Sequence, residues 1–444
     1  MEKEVLAQLY EHFLNSSGVS IDSRTIKPGQ IFWALKGNQF NGHDFIKDAL
    51  DKWAYLCIVD QDVPEEFSFS CFRVPDTLKA LQELATYHRN QLKIPVVAIT
   101  GSNGKTTTKE LLKSCLKHQS AFVSYGNFNN HIGVPFSILQ IQKHHRFAIL
   151  EMADNHPGEI KQLCKIAKPT AGLVTNIGKD HIGNYGSLEA VAKSKCELYE
   201  YVLEHSGKIF VNEDDEILKP YGKYIDAFTF GSTGNLIGRV IEQSIGKLVV
   251  ALRQENWHQD IILKTNLTGR YHLHNILAAV QIAMFLQVPM GEIISGMTSY
   301  VPDNMRSQII HTDHQTIILD CYNSNPSSLK ANLESIKDII GDKKISLIIG
   351  DMLELGEFSK EEHIQIAQYI NELHPFGFIG VGNDIHYSYE NVNTENKICI
   401  PDIETALNTD LTPYISEAEV IFIKGSRANQ LEKLLEKFQI KQNA

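Results

Sequence analysis

At 444 residues, with 43% hydrophobic and 21% charged positions, the chain has an ordinary globular composition and the length of about three domains. Its net charge of −11 argues against a nucleic-acid-binding surface, while permitting a local basic pocket for an anionic small molecule. No run approaches the roughly 18 apolar residues of a membrane span, and the charged start Met-Glu-Lys-Glu-Val lacks a signal peptide's apolar core, so a cytoplasmic protein is expected.

Residues 1–93 mix short strands, at 31–35 and 55–59, with a helix expected over 77–92. Lys93-Ile94-Pro95 reads as a linker. Next comes a short apolar strand at 95–100, running into Gly101-Ser102-Asn103-Gly104-Lys105-Thr106-Thr107-Thr108. A helical pattern follows, with Leu111, Leu112, Cys115 and Leu116 on one face. Strand, glycine-rich turn and helix start, in that order, suit a phosphate. Glycines let backbone N–H groups approach oxyanions, and the helix N-terminus adds partial positive charge. Lys105 would then reach the β/γ-phosphates and the Thr106 hydroxyl would hold Mg²⁺. The loop departs from the general G-x-x-x-x-G-K-[ST] form, because Ile99 stands where the first glycine would be.

Strands and helices then alternate. Segments 147–151 and 171–177 are buried-strand patterns, which argues for a parallel sheet with helices on both faces. In such sheets ligands sit beyond the carboxyl ends of the strands. Glu151 ends one strand and is placed to help hold nucleotide-bound Mg²⁺, which takes few protein oxygens. The other strand leads through Thr175 and Asn176 to His181. Taken singly, Glu151 also fits a strand-end surface acid, and His181 a hydrogen-bonded loop histidine. Their shared position downstream of the phosphate loop points to function. In GSLEAVAKSKCELYE, Ser187 can cap a helix from Leu188. Lys195 then interrupts the apolar stripe formed by Leu188, Val191, Ala192, Leu198 and Tyr199, whereas Lys193 can face solvent. Either Lys195 snorkels from the stripe's edge or it points inward with an altered chemical state.

Residues 209–267 are more strand-like, and a helix follows over 274–286. After Val301-Pro302-Asp303, core strands at 317–320, 345–349, 377–381 and 420–424 alternate with helices as a second α/β unit. The seven scattered cysteines form no C-x-x-C pair, so neither a disulfide framework nor a zinc site is indicated.

Together these motifs make the chain resemble the bacterial Mur ligases over nearly its whole length. DSRTIKPGQIFWALKGNQFNGHDFI resembles the family's uridine-nucleotide domain. TGSNGKTTT, NFNNHIGVP, TNIGKDHIGNYGS, AKSKCEL, GRYHLHNILAA, NMRSQ and KGSR occur in the family's order. EMADNHPGEI, DCYNSNPSSL and GDMLELGE single out the branch that joins D-alanyl-D-alanine to UDP-N-acetylmuramoyl-tripeptide.

The resemblance implies an α/β protein of three domains. These are an α+β uridine-nucleotide domain (1–93), a central phosphate-loop ATPase domain with a mainly parallel sheet (94–302), and a Rossmann-like ligase domain (303–444). It also implies a monomeric, ATP-dependent amide ligase of peptidoglycan synthesis that works through an acyl phosphate. ATP would be held by Gly101, Ser102, Asn103, Gly104, Lys105, Thr106 and Thr107, with Asn275 on the adenine side, Asp320 on the ribose and Arg306 nearby. Two Mg²⁺ ions would take Thr106, Glu151, His181 and a carbamate on Lys195, and Lys105, Lys195 and His181 would be catalytic. Burial of Lys195 should raise its share of neutral amine, the form that adds CO₂. Ser23 and Arg24 match the uridine side, and Asn129 and Asn130 the muramoyl side. Asn323 and Asn325 are assigned to D-alanyl-D-alanine. Ala153, Cys196, the pair Tyr271-His272 and Ser324 depart from the family pattern, and Cys196 puts the backbone beside Lys195 in question. A folylpolyglutamate synthetase shares the core but lacks this N-terminal domain. A non-catalytic phosphate-loop scaffold leaves Glu151, His181, Lys195 and Asp320 without a common purpose.

Overall fold

The computed structural model describes residues 1–37 and 40–438. Residues 38–39, inside the uridine-type motif, and 439–444, the end of the expected third domain, lie outside the described residues.

The phosphate-loop strand, Val96–Thr100, is buried along its length. Its pleat sends alternate side chains to opposite faces, so Val96 and Ala98 enter one core while Val97 and Ile99 enter another. The parallel strands Phe147–Glu151 and Ala171–Val174 flank it. They belong to a nine-stranded sheet that becomes antiparallel only where Leu236–Ser244, Lys247–Arg253 and Ile261–Thr265 pair at one edge. Three neighbouring carboxyl ends therefore converge, which is where ligands collect in such sheets. The strand expected over 171–177 stops at Val174. Thr175 N–H still donates to the Thr100 carbonyl at 2.9 Å, but from here the chain turns to serve the phosphate loop: Ser102 N–H donates to the Asn176 carbonyl at 3.0 Å, Asn103 N–H to Asn176 Oδ1 at 3.0 Å, and Thr175 Oγ1 to the Asn103 carbonyl at 2.6 Å.

Ahead of this sheet, Val19–Ser20, Ile31–Trp33, Leu56–Val59 and Cys71–Arg73 form a four-stranded sheet. All its pairs are parallel, and helices accompany the strands. Helical crossovers, rather than hairpin turns, separate the later strands, as parallel pairing requires. The helix Thr77–Gln91 is capped by the Asp76 side chain, which accepts from Lys79 N–H at 2.7 Å. Its Leu84 shares a core with Leu150 and Leu163 of the central region. Arg89 adds hydrogen bonds to the carbonyls of Ala167 and Leu92 at 2.8 Å and of Lys168 at 3.0 Å. The N-terminal unit is thus fastened to the central one by apolar packing.

Beyond residue 302 lies a six-stranded sheet, parallel except where Gln308–His311 pairs with Thr316–Asp320. Val420–Lys424 is inserted between Thr316–Asp320 and Ile345–Gly350, so Asp320 and Lys424 end adjacent strands. This unit has its own cores on the two faces, one holding Leu347 and Ile349 and the other Ile348 and Ile423. Polar contacts dominate where it meets the phosphate loop. Among the described residues no helix is long and apolar enough to cross a membrane.

Candidate active site

The turn between Val96–Thr100 and the helix Lys105–Cys115 is shaped by two glycines in the left-handed region, Gly101 (φ 131°) and Gly104 (φ 82°). A Cβ on Gly101 would lie 2.1 Å from Thr175 Oγ1, and one on Gly104 would lie 2.3 Å from Asn275 Oδ1. Only glycine fits either place. Thr106, Thr107 and Thr108 are weak helix formers at the first turn, and burial of Leu111, Leu112 and Cys115 anchors the helix instead. Its first N–H groups have no partner within the helix and open onto a cleft of about 680 Å³. The Lys105 ammonium folds back onto the carbonyls of Gly101 and Ser102. Burial, with Lys195 nearby, pushes its pKa down despite Asp180, Glu151 and Asp154.

Beside the loop, Glu151 Oε1 accepts from the Thr106 hydroxyl at 3.1 Å and from the Asn129 amide at 2.8 Å. Its Oε2 lies 3.2 Å from the Lys109 ammonium. Burial raises the Glu151 carboxyl, but Lys109, Arg306, Asn129 and Lys105 outweigh it and hold the group below the usual range. Sequence reasoning missed Lys109, although it lies three residues before Leu112 at the edge of the apolar stripe. His181 lines the cleft with a left-handed backbone (φ 51°), and its Nδ1 meets the Glu354 carboxylate. Non-glycine residues in that region cluster at functional sites. Among the described residues no three His, Cys, Asp or Glu side chains converge as a metal cage. That is compatible with Mg²⁺, which usually keeps water and substrate oxygens as ligands.

The helix Leu188–Glu204 is capped by Ser187 as expected, and Lys193 is exposed. Lys195 points inward and is 1% exposed. Its Nζ lies 2.6 Å from Asp154 Oδ1 and 2.9 Å from Asp180 Oδ2. This corrects the expectation of a more neutral amine. Burial does favour the neutral form, but Asp180 and Asp154 outweigh it and raise the pKa above that of an ordinary lysine. Cys196 faces Tyr221 from within an unbroken helix, so the residue replacing glycine does not disturb the backbone there.

The third unit closes the far wall. Asp320 accepts from Lys424 Nζ at 3.1 Å and from Ser307 Oγ at 3.1 Å, and Ser307 Oγ lies 2.6 Å from the Tyr271 hydroxyl. Arg306 stacks on Tyr322, 3.9 Å from the ring centre, with its Nε unpartnered among the described residues. Asn275 Nδ2 lies 3.2 Å from His272 Nδ1, and burial pushes the His272 pKa down to about 4.

The cleft is lined by Ser102, Asn103, Gly104, Lys105, Thr106, Thr107, Asn129, Glu151, His181, Asn275, Arg306, Asp320 and Asn323 of the expected set. Gly101 and Lys195 lie behind this lining. The Asn130 carboxamide oxygen accepts from the N–H groups of Ile132 and Gly133. Asn325 caps the helix Pro326–Ile340 in a capping box with Ser328, while its Nδ2 donates to Asn103 Oδ1 at 2.9 Å. Ser23 and Arg24 are not brought to the cleft; Arg24 is exposed and paired with Asp22 at 2.8 Å. Lys424, Ser426 and Arg427, all within the KGSR motif, and Glu354 of GDMLELGE are lining residues that were not singled out.

Comparison with known proteins gives matches along the chain. The model of the Mur ligase family, catalytic domain, matches residues 15–89; that of the Mur ligase middle domain, 99–283; and that of the Mur ligase, glutamate ligase domain, 305–427. The UDP-N-acetylmuramoyl-tripeptide–D-alanyl-D-alanine ligase of Rickettsia prowazekii is 33% identical, with 96% of each chain covered. That of Bacillus subtilis is 30% identical over 94% of this chain and 92% of the relative. Among solved structures, MurF from Acinetobacter baumannii superposes with a TM-score of 0.86 at 27% identity, over 97% of this chain and 98% of that one. MurF from Thermotoga maritima in complex with ADP gives 0.82 at 27% identity, over 99% and 98%. A folylpolyglutamate synthase from Thermotoga maritima gives 0.59 at 13% identity, over 81% and 93%, a likeness of fold alone.

Proposed function

The chain belongs to the Mur ligase family, and from that premise we propose that it joins D-alanyl-D-alanine to UDP-N-acetylmuramoyl-tripeptide at the cost of ATP. The reaction is an ATP-dependent peptide ligation of peptidoglycan synthesis. A carboxylate is a poor electrophile until one oxygen becomes part of a leaving group. The terminal carboxylate of the tripeptide attacks the γ-phosphorus of ATP, giving an acyl phosphate and ADP. The amine of D-alanyl-D-alanine then adds to the acyl carbon, and the tetrahedral intermediate expels phosphate to leave the new amide. Two anions must meet in the first step, so the site has to offset negative charge as it accumulates.

The observation that carries this reading is the placement of Lys105 and the Thr106–Glu151 pair beside a phosphate loop whose cleft is closed by Arg306 and Asp320. Gly101 to Thr107 hold the phosphates, and Lys105 exchanges its loop carbonyls for phosphate oxygens. Asn275 takes the adenine side, Asp320 the ribose, and Arg306 the nucleotide's outer flank. Thr106, Glu151 and His181 suit Mg²⁺, with Glu354 releasing His181; when bound, the ion neutralises phosphate charge as a Lewis acid. The hard oxygens of Thr106 and Glu151 and the partnerless state of Glu151 Oε2 apart from Lys109 support that fit. Asn129 and Asn130 face the muramoyl side, Ser23 and Arg24 the uridine side, and Asn323 and Asn325 the dipeptide. A carbamate on Lys195 does not fit the residues around it, because Nζ is already held between two carboxylates. Mass spectrometry of a reaction with both peptide substrates and MgATP tests the function. The pentapeptide product is expected; ADP formed without a new amide would refute it.

A further inference from the structure

The surroundings of Lys195 are complete without any added group. Its Nζ meets Asp154 Oδ1 and Asp180 Oδ2. The remaining oxygens of both acids are also engaged. Asp154 Oδ2 accepts from the Tyr185 hydroxyl at 2.6 Å and from Ser194 Oγ at 2.7 Å. Asp180 Oδ1 accepts from the hydroxyl of Ser102, in the phosphate loop itself. All three charged side chains are at most 3% exposed. The cluster therefore carries one net negative charge, shared over a buried cation and two buried anions. Carbamylation would form an N–C bond to CO₂, release a proton from Nζ, and turn the only cation of the cluster into a third anion. That product would face two carboxylates within hydrogen-bond range of where the ammonium now sits, and an unpaired charge of this kind is costly when buried.

We propose that Lys195 works in this chain as an unmodified ammonium, a positioning residue that bridges Asp154 and Asp180 and, through Asp180, fixes Ser102 of the phosphate loop. The carboxylate oxygens at this point of the site then come from Asp180 and Asp154 rather than from CO₂. Lys195 acts on the loop at one remove: ammonium to Asp180, Asp180 to Ser102, and Ser102 N–H to Asn176. The proposal rests on the ligase reading for the loop's role, but the chemical state of the lysine is measured without turnover.

The test uses the full-length protein equilibrated with ¹³C-bicarbonate, Mg²⁺ and ATP. No carbamate ¹³C resonance attributable to Lys195 is expected in the wild type; a resonance that disappears in Lys195→Ala overturns the proposal. Chemical rescue gives the second arm. Lys195→Ala is expected to lose roughly a hundredfold in ligation rate, while Lys193→Ala stays at the wild-type level. Ethylamine, which restores a cation to the vacated space, should recover part of the lost rate, and acetate should not. Rescue by acetate instead of ethylamine contradicts the proposal. Absence of pentapeptide in the wild type would instead defeat the ligase reading and leave the ¹³C result standing.

Discussion

The carboxamide of Asn325 donates to the side-chain oxygen of Asn103 at 2.9 Å, tying the cap of a helix in the third unit to the phosphate loop of the central one. Lys179 N–H donates to Ser327 Oγ at 2.9 Å, and Arg270 N–H to Ser335 Oγ at 3.0 Å, along the same seam. Beside these polar contacts, Ile182 of the central unit packs into a core of the third, so the seam is mixed, with polar contacts along much of it, in the manner of surfaces that open and close. The N-terminal unit instead shares an apolar core with the central sheet.

Closure should therefore hinge near residues 301–307, where Met305 and Ser307 hold left-handed backbones, rather than at Lys93-Ile94-Pro95. Small-angle scattering should show a smaller radius of gyration when an ATP analogue and UDP-sugar peptide are both present. Tyr271→Phe, which removes the hydroxyl facing Ser307, should weaken that compaction by about 1 kcal/mol, roughly fivefold in the closed population. Unchanged dimensions under saturating ligands would contradict the closure.

Lys105→Ala should abolish ligation with the fold intact. Among the described residues the side chain hydrogen-bonds only two loop carbonyls, whereas a charge-assisted contact to a transferring phosphate is commonly worth a few kcal/mol, or about a hundredfold or more in rate. Turnover near the wild-type level, with unaltered melting, would remove Lys105 from the phosphate site.

His272 supplies a pH signature. Burial holds its folded pKa at about 4, against an ordinary value near 6.5. The unfolded chain therefore binds the proton first as pH falls, so stability declines from pH 6.5 down to 4 and this contribution is flat below. Between pH 7 and 4.5 the loss is about 2.5 kcal/mol from this residue. Denaturant titrations should show His272→Asn losing less stability than the wild type over that interval. Equal losses would mean that His272 is not buried as a neutral ring.

Local pattern carried much of this architecture. The glycines at 101 and 104, the apolar run ending in Glu151 and the inward face of the helix containing Lys195 are all short-range features, and the structure has them where the spacing puts them. What local pattern did not carry depends on residues far apart in the chain. Asp154 and Asp180 meet Lys195 across 41 residues in one case and 15 in the other, through different strand ends, and nothing in their own segments marks them as partners. Their charge reversed the desolvation argument for Lys195. The early end of the strand at Val174 has the same origin, because Asn176 serves a loop more than 70 residues earlier.

The most direct measurement is phosphate release by the purified protein, with MgATP and each peptide substrate supplied singly and together. The account predicts release only when UDP-N-acetylmuramoyl-tripeptide and D-alanyl-D-alanine are both present, in step with pentapeptide formation and lost in Lys105→Ala. Sustained release that is indifferent to either peptide, or that tracks a folate substrate instead, would contradict it.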